Sequence, residues 1–296
     1  MQERIAEGLE ALLDGDGSRW LAAARAEIIR ADEPRHALER LFPAVARVLG
    51  RRNVPDEASI EIDGEAHALR GWQTCDVGRA LLLLAGSSRL PPGELAAKLF
   101  RAGDESERAA IVRSLSLLPE GATLKAIALE AGRVNSVTLF GALALGNPYP
   151  AAHYSEREFN QVVLKTMFMG LAVGAVVGLE RRANAELARM CGDFYDERTA
   201  AGRSAPVDIW LALVPFATGA RLDLAKQHLA HADAAHRFHA AVALGRRGAR
   251  YPELRALLAE RAKHETDSRV LAALGHPYVA SSAAGAAPDL NGAARL

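Results

Sequence analysis

Cysteine is scarce in this sequence, because the chain of 296 residues has only Cys75 and Cys191. Two cysteines cannot build the disulfide framework of a small secreted domain, and they cannot supply the thiolates of a four-cysteine zinc site. Both lie in apolar segments with helical character. We therefore predict two buried, reduced thiols in a cytoplasmic protein.

Net charge is also missing, since Lys+Arg and Asp+Glu both number 36. Such a chain has no overall attraction to DNA, RNA or an anionic membrane, although a local charged patch remains compatible with a net charge of zero. We predict no nucleic-acid partner. The first fifteen residues carry charges where a signal peptide needs an apolar run, so no export signal is predicted.

Apolar runs of transmembrane length are absent from the sequence. The longest nearly uncharged run extends from Met167 to Leu179 and contains three glycines. Because a helix needs about 20 apolar residues to span a bilayer, this run is predicted to lie in the protein interior. No transmembrane segment is expected.

The common catalytic and cofactor motifs are missing as well. The sequence has no nucleophile elbow, P-loop, dinucleotide fingerprint or HExxH motif. No cofactor is therefore predicted and the catalytic residues stay unknown. The pairs His228 with His231 and His236 with His239 have a spacing of three, but Asp233 is expected to cap a helix between them. No cysteine or carboxylate cluster completes a ligand set, so no metal site is predicted.

Helical periodicity dominates what is present. Half of the residues are hydrophobic and 24% are charged, as in a globular protein. The N-terminal third opens with amphipathic helices, the third of them from about Glu33 to Leu49, and Pro43 should bend or divide it. Beyond Trp72 the pattern predicts helices near 75–86, 92–102, 105–118, 121–132, 136–145, 155–169, 184–200, 206–216, 221–230, 233–247, 251–263 and 267–274.

One short segment has strand character. Ile60 to His67 alternates between apolar and polar residues around a central Asp63-Gly64, which predicts a small hairpin packed against helices. Two helix starts, at Asp104 and Asp233, have an arginine four residues later and small apolar residues beyond it, a pattern typical of stacked helical hairpins.

The predicted fold is all-α: an irregular right-handed α–α superhelix of HEAT-like or armadillo-like hairpins, with at most one small β-hairpin near 60–69. A simple helical bundle is the competing architecture. We predict one solenoid-like domain over 1–278, with an N-terminal helical part at 1–55 and a core at about 70–245. The tail at 279–296 lacks a periodic apolar face and is predicted to be disordered.

The most informative stretch runs from Gly146 to Gly170. Asn147-Pro-Tyr149-Pro predicts a stiff turn, and the helix after it has an apolar face that includes Phe159. Leu164 and Phe168 fall on the opposite side, so this helix is predicted to be covered on two sides. Polar residues on such a helix need protein partners, water or a ligand.

Two interpretations of this stretch stay open. In one it is a hydrogen-bonded joint between stacked helices, and in the other its polar side chains line a binding site. A second cluster contains Arg198, which either caps backbone carbonyls or holds an anionic ligand or Asp208. The candidate ligand-binding residues are Asn147, Tyr149, His153, Asn160, Gln161, Lys165, Tyr195, Arg198 and Asp208.

A long ordered string of residues resembles the EboA family, which is encoded in a bacterial and algal metabolite operon. The resembling segments are Asn147-Pro-Tyr-Pro-Ala-Ala-His153-Tyr-Ser, Phe159-Asn-Gln-Val-Val-Leu-Lys165, Phe168-Met-Gly170, Gly178-Leu-Glu-Arg181-Arg-Ala-Asn184-Ala-Glu-Leu-Ala-Arg189-Met, Asp193-Phe-Tyr195-Asp-Glu-Arg198, Ala201-Gly-Arg203 and Pro206-Val-Asp208-Ile-Trp210. Upstream, Trp72 and Asp76-Val-Gly-Arg79 are similar to an earlier helix of the family, so the resemblance covers about 70 to 245.

The resemblance implies a role in moving a secondary-metabolite precursor, such as a scytonemin-type indolic monomer, towards the cell envelope. It implies a small metabolite or other ebo-operon proteins as partners, with peripheral association with a membrane enzyme among the expectations. It implies no reaction and no cofactor.

Three hypotheses follow. The first is a non-enzymatic carrier or adaptor that binds a metabolite or a pathway protein. The second is an enzyme acting on an aromatic or isoprenoid intermediate, with His153 as acid or base and Lys165 or Arg198 holding an anion. The third is a purely structural scaffold, in which the central stretch serves only helix packing.

Overall fold

The computed structural model describes residues 2–62 and 64–275, so the tail predicted at 279–296 lies outside the described residues. Within them the chain forms seventeen α-helices and one two-stranded antiparallel sheet, which confirms the all-α prediction with a small hairpin. Packing divides the chain into two compact units, the first ending at Ser155 and the second beginning at Glu156. The single domain and its HEAT-like superhelical arrangement stay predictions.

The first unit contains nine helices and the hairpin among its described residues. They are α1 (Gln2–Glu10), α2 (Gly15–Arg30), α3 (Pro34–Leu49), β1 (Ser59–Ile62), β2 (Glu65–Ala68), α4 (Thr74–Ser87), α5 (Pro92–Ala102), α6 (Glu105–Ser114), α7 (Lys125–Arg133), α8 (Val137–Ala144) and α9 (Tyr149–His153). Single 3₁₀ turns at Leu115–Leu117 and Gly121–Leu124 extend α6 and precede α7.

Helix α4 is central to the first unit, and α2, α3 and α6 pack around it. Every residue from Thr74 to Gly86 is buried, as expected for a helix that is apolar almost all round. Its polar residues are paired: Asp76 closes a capping box with Gln73, and the buried Arg79 donates to Ser106 Oγ at 2.9 Å. These internal partners satisfy most of the buried polar groups of α4, while Arg79 Nε has no partner among the described residues.

The hairpin has the predicted position. Ile60 pairs with His67 and Ile62 with Glu65, and Gly64 has a φ of 83° in the turn. The two isoleucines are buried while Ser59 and Glu61 are exposed, so one face of β1 packs inward, where Ile60 lies close to α1. The strands are therefore supported by a helix, which a two-stranded sheet needs.

Pro43 does not divide α3, which is continuous from Pro34 to Leu49, so a bend at Pro43 stays a prediction. Pro43 is exposed, whereas Phe42 and Val45 beside it are buried. Because Pro43 has no N–H, the carbonyl four residues before it lacks its helical hydrogen bond. That carbonyl lies on the exposed side of α3, where water can bind it, and the packing of the buried side stabilises the helix.

The second unit contains the remaining eight helices of the described chain. They are α10 (Glu156–Phe168), α11 (Leu179–Arg182), α12 (Ala185–Ala200), α13 (Trp210–Leu213), α14 (Gly219–Gln227), α15 (Ala234–Gly248), α16 (Pro252–Ala262) and α17 (Ser268–Gly275). Single 3₁₀ turns lie at Val173–Ala175, Val214–Phe216 and His228–Ala230. Helix α15 packs against α13, α14, α16 and α17, and Ala240 to Leu244 form its buried centre.

Helix α10 is buried on one side only. Phe159, Val163 and Met167 are buried, but Phe168 is 76% exposed. The expectation that Phe168 covers a second buried side was therefore wrong, as was the prediction that the run from Met167 to Leu179 is interior throughout. The apolar character of a segment does not show which of its side chains point outward. Here α10 ends at Phe168, so the helical pattern does not continue through the rest of the segment. In the described residues we find no helix with the length and apolarity to cross a membrane.

Candidate functional site

Asn147 is a buried packing residue of the first unit. Its Nδ2 donates to the carbonyls of Val112 and Ala142, both at 2.9 Å, and its Oδ1 accepts the Tyr149 N–H at 3.0 Å. The Ser116 hydroxyl lies 3.4 Å from the same oxygen. These contacts use the amide fully, so Asn147 joins α6 and α8 to the start of α9.

Tyr149 and His153 lie in a short helix, α9, where the sequence had predicted a stiff turn. Pro148 is its N-cap and Pro150 lies in its first turn, where a proline loses no helical hydrogen bond. The buried Tyr149 hydroxyl donates to the Gly121 carbonyl at 2.5 Å. The half-buried His153 ring lies 4.5 Å from the Tyr149 ring, centroid to centroid.

The electrostatics of this pair favour uncharged rings. Burial raises the pKa of Tyr149, and burial together with the nearby charge of Lys125 lowers the pKa of His153. Burial therefore favours the uncharged forms of both groups, and the neutral imidazole of His153 can accept a proton.

Asn160 lies on the buried side of α10 and pairs with Asn184. Each amide donates Nδ2 to the other's Oδ1, at 3.2 and 2.9 Å. Asn184 Oδ1 also accepts the Leu187 N–H at 2.8 Å, which makes Asn184 the N-cap of α12. Gln161 is exposed, and Lys165 is half-buried, which lowers its pKa.

Arg198 and Asp208 do not contact each other in the second unit. Arg198 Nε donates to the Ser204 carbonyl at 2.8 Å, and its guanidinium lies over the Phe194 ring. The carbonyl of Ser204 lies beyond the end of α12, so Arg198 binds the following loop, and the predicted capping of the helix's own last carbonyls stays a prediction. The buried Asp208 carboxylate accepts the Val173 N–H at 2.6 Å, and burial raises its pKa.

Tyr195 belongs to a group of five packed rings that the sequence did not predict. We call this group the ring cluster; its members are Tyr195, Trp210, His228, His231 and His236. The centroid distances are 5.6 Å for Tyr195–Trp210, 4.4 Å for Trp210–His228, 5.2 Å for His228–His231 and 4.3 Å for His231–His236. Asp233 does cap α15, through the Ala235 N–H, but the turn that it forms brings the histidine pairs together rather than separating them.

Hydrogen bonds fix the protons on two of the histidines. His228 Nδ1 lies 2.9 Å from the Leu224 carbonyl, which can only accept, so Nδ1 carries the hydrogen and Nε2 has the lone pair. His231 Nδ1 accepts the Asp233 N–H at 3.0 Å, so the neutral ring has its hydrogen on Nε2. His231 Nε2 cannot then bind a metal. Consistently, no group of three or more His, Cys, Asp or Glu in the described ranges could hold a metal ion.

Two nitrogens of the ring cluster have no protein partner among the described residues. Trp210 Nε1 belongs to a fully buried side chain, and His236 Nδ1 belongs to one that is 6% exposed. The Tyr195 hydroxyl and His228 Nε2 are 3.4 Å apart, which is long for a hydrogen bond between oxygen and nitrogen. Buried polar groups in native proteins nearly always have a partner, so these nitrogens indicate a bound molecule or water.

Burial favours the neutral forms of His228, His236 and His239. It lowers the pKa of His228, and it lowers the pKa of His236 to about 4 with help from the neighbouring charges of His231 and His228. His239, one turn further along α15, also has a pKa of about 4 because it is buried and faces His236 and Arg246. Burial thus favours the neutral forms of His228 and His236, and the cluster is rich in π faces.

The nine candidate residues fall into separate groups. Asn147, Tyr149 and His153 belong to the first unit and the other six to the second. Among those six, Tyr195 alone is part of the ring cluster, and no sequence spacing joins it with Trp210 and the histidines. The available signal was four histidines within twelve residues around a helix N-cap.

Comparison with known proteins identifies a family for this chain but no individual relative. The family model described as "Metabolite traffic protein EboA" matches residues 1–214. This range includes the N-terminal helices, which the resemblance had not covered, and it ends before the three histidines of the ring cluster. No curated protein and no solved structure matches the chain.

Proposed function

The chain belongs to the EboA family, and from this premise we propose that it serves metabolite traffic as a non-enzymatic protein that binds a small aromatic metabolite. The binding site that we propose is the ring cluster of the second unit. The metabolite is bound, carried in the cytoplasm towards the envelope and released unchanged. Other proteins of the same operon are its proposed handover partners.

The observation that carries this proposal is the pair of buried ring nitrogens without a protein partner. The Trp210 indole N–H is a donor only, and an unpaired buried donor costs about 1–3 kcal/mol. A ligand with an acceptor atom removes that cost on binding. His236 Nδ1 adds a second polar position in the same group of rings.

The rings that surround these nitrogens suit a flat aromatic ligand. Aromatic rings attract each other in offset or edge-to-face arrangements, and Tyr195, Trp210 and His228 already pack tilted or edge-on. Tyr195 and His231 are half-buried, so they border the solvent. A ligand that enters beside Tyr195 replaces the long contact between its hydroxyl and His228 Nε2.

The experiment is ligand capture from a metabolite extract. The pure protein is incubated with an extract from cells that lack this gene, separated from free metabolites by gel filtration, denatured, and analysed by mass spectrometry. We expect one aromatic compound to co-elute with the wild-type protein unchanged. We expect Trp210→Phe, which keeps a ring and removes the N–H, to retain about tenfold less of it.

Trp72→Phe is the matched control, because it makes the same change at a buried tryptophan of the first unit. The proposal fails if no compound co-elutes, or if Trp72→Phe and Trp210→Phe reduce retention equally. It also fails if Trp210→Phe retains as much as the wild type.

His153 supports a second candidate, an enzyme that acts on an aromatic or isoprenoid intermediate. The observation in its favour is the half-buried, neutral imidazole against Tyr149, which is a suitable state for a general base. In the same incubation an enzyme would consume a metabolite and release a product. Turnover that disappears in His153→Ala would replace the carrier proposal with this one.

A further inference from the structure

Helix α10 presents an outward face that neighbouring parts of the chain leave exposed or half-buried. At about 100° per residue, one stripe of the helix collects five side chains. They are Arg157, Gln161, Leu164, Lys165 and Phe168, and we call them the outward face of α10. The remaining sides of the helix carry the buried residues.

Phe168 is the most protruding residue of this face. Its exposed fraction, 76%, is the largest among the large hydrophobic side chains described. Gly170, two residues later, has a φ of 68°, and the Leu171 N–H bonds back to the Thr166 carbonyl at 2.9 Å. The helix end is thus fixed by backbone hydrogen bonds, and Phe168 is held outward on its last turn.

The chain beyond Phe168 continues this apolar surface. No charged residue occurs from Thr166 to Leu179, in a protein of which 24% is charged. Met169, Leu171 and Val177 are half-buried, so they remain partly accessible. A single exposed phenylalanine needs no explanation, but one next to a partly exposed, charge-free segment indicates an interaction surface.

The charges of the outward face have one sign. Arg157 and Lys165 lie on the stripe, and both are basic. The nearest acidic residues lie off the stripe: Glu158 is half-buried at its margin, and Glu156 is exposed on a neighbouring side of the helix. Basic residues beside an exposed aromatic residue are the combination that binds anionic membranes, because phosphate attracts the cations while the ring enters the acyl boundary.

We propose that the outward face of α10 docks against an anionic lipid surface. Phe168 inserts at the level of the headgroups, Lys165 and Arg157 approach lipid phosphates, and Leu171 adds apolar contact. The helix lies on the membrane and does not cross it. Net neutrality of the chain does not oppose this binding, since the face acts locally within the Debye length.

The test is flotation of the full chain with vesicles of phosphatidylcholine alone or of phosphatidylcholine with phosphatidylglycerol. We expect binding to the anionic vesicles, weakened by added salt, and little binding to the neutral ones. Phe168→Ser should weaken binding at least about tenfold, because the inserted ring supplies most of the apolar contact. Arg157→Gln should weaken it about fivefold, and only on anionic vesicles.

Phe216→Ser is the matched control, because Phe216 is also exposed, at 49%, and lies outside this face. Circular dichroism and the melting temperature should be unchanged in all three variants, since each site is exposed. The proposal is overturned if wild-type protein does not float with anionic vesicles, or if Phe168→Ser floats as well as the wild type. Equal losses in Phe168→Ser and Phe216→Ser overturn it too.

A second copy of the chain is the competing occupant. In that case light scattering would detect a dimer that Phe168→Ser dissociates, without vesicle binding, and the lipid proposal would be wrong. Metabolite capture by the ring cluster is measured separately, so failure of either proposal leaves the result for the other intact.

Discussion

Asn160 and Asn184 bind each other through two reciprocal amide hydrogen bonds, which link α10 to the N-cap of α12. Asn160 is a candidate ligand-binding residue from the sequence, yet here the two amides satisfy each other. Asn184 additionally donates to the Arg182 carbonyl at 3.0 Å. The pair therefore acts as a polar joint between two helices of the second unit.

Replacing Asn160 with Asp should destabilise the second unit. The carboxylate cannot donate to Asn184 Oδ1, so one hydrogen bond is lost and a charge is buried, at a cost of about 1–3 kcal/mol. Urea denaturation gives the free energy of unfolding. Gln161→Ala, the exposed neighbour, should change it by less than about 0.5 kcal/mol. Equal changes in the free energy of unfolding for Asn160→Asp and Gln161→Ala would show that the hydrogen bonds between Asn160 and Asn184 do not stabilise the unit.

Replacing Gly121 with Ala should displace the His153 ring. A Cβ at this position would lie 2.5 Å from His153 Nε2, too close for any real contact. The strain should cost about 1–3 kcal/mol, with the Tyr149 hydrogen bond to the Gly121 carbonyl weakened. A double-mutant cycle checks the cause, because Gly121→Ala should be nearly neutral in a His153→Ala background.

Gly141→Ala is the control for that cycle. Gly141 lies inside α8, and a Cβ there would meet only Leu145 Cδ1, at 4.0 Å. Helix propensity should make this change neutral or stabilising by up to about 1 kcal/mol. If Gly121→Ala behaved in the same way, the close approach of His153 would not be a constraint.

Acid should destabilise the second unit through His236 and His239. Their pKa values of about 4 in the folded protein lie below the ordinary value of 6.5, so the unfolded chain binds more protons between these limits. Stability is therefore complete above about pH 6.5 and falls as the pH approaches 4, by about 3 kcal/mol for each residue at full effect. Urea midpoints measured from pH 7.5 to 4.5 test this dependence.

His239→Gln should reduce that pH dependence, because it removes one of the two groups. The groups that face His239 are His236 and Arg246, while His228, His231 and Asp233 act on His236. Each retains its contacts in the variant except for those with the lost imidazole. If the urea midpoint of the variant fell with pH as steeply as that of the wild type, the acid sensitivity would come from other residues.

Replacing Glu265 with Gln should destabilise the C-terminal helices. The carboxylate accepts two hydrogen bonds from Arg237, at 2.8 and 2.9 Å, and one from Arg261 at 2.9 Å. The Arg237 bonds, helped by backbone N–H groups of Asp267 and Thr266, lower its pKa to about 2. Removing the buried charge should cost about 3–5 kcal/mol. Melting temperatures measure both this variant and the control Glu260→Gln. Glu260 forms an exposed ion pair with Lys263, so its replacement should cost less than about 1 kcal/mol.

Helix positions were predictable where the local sequence carries the signal. Asp104 and Asp233 are N-caps, as their positions before apolar periodic segments indicate, and Pro92 opens a helix as expected. Helix α9 was missed because two prolines suggest a turn, although proline is equally suited to the first turn of a helix. The end of α10 was placed correctly, but not the outward direction of Phe168.

The ring cluster could not be predicted, because tertiary packing assembles it from separate elements. Tyr195 comes from α12, Trp210 from α13, and His228 precedes α15. No spacing rule links residues that are this far apart in the sequence, whereas the spacing of three within each histidine pair is local and visible. Conversely, Asn147 and Asn160 are of a residue type that is common in binding sites. Their hydrogen-bond partners within the protein become apparent only when the chain is folded.

The turn at Asp233 has a consequence for the order of folding. His228, His231 and His236 lie within nine residues, so this turn brings them together with almost no loop to close. Tyr195 and Trp210 are further from the histidines in the sequence, so they join the cluster only when longer loops close. Closing a longer loop costs more chain entropy. We therefore expect the histidine part of the cluster to be structured in the folding transition state and the aromatic part to join it later.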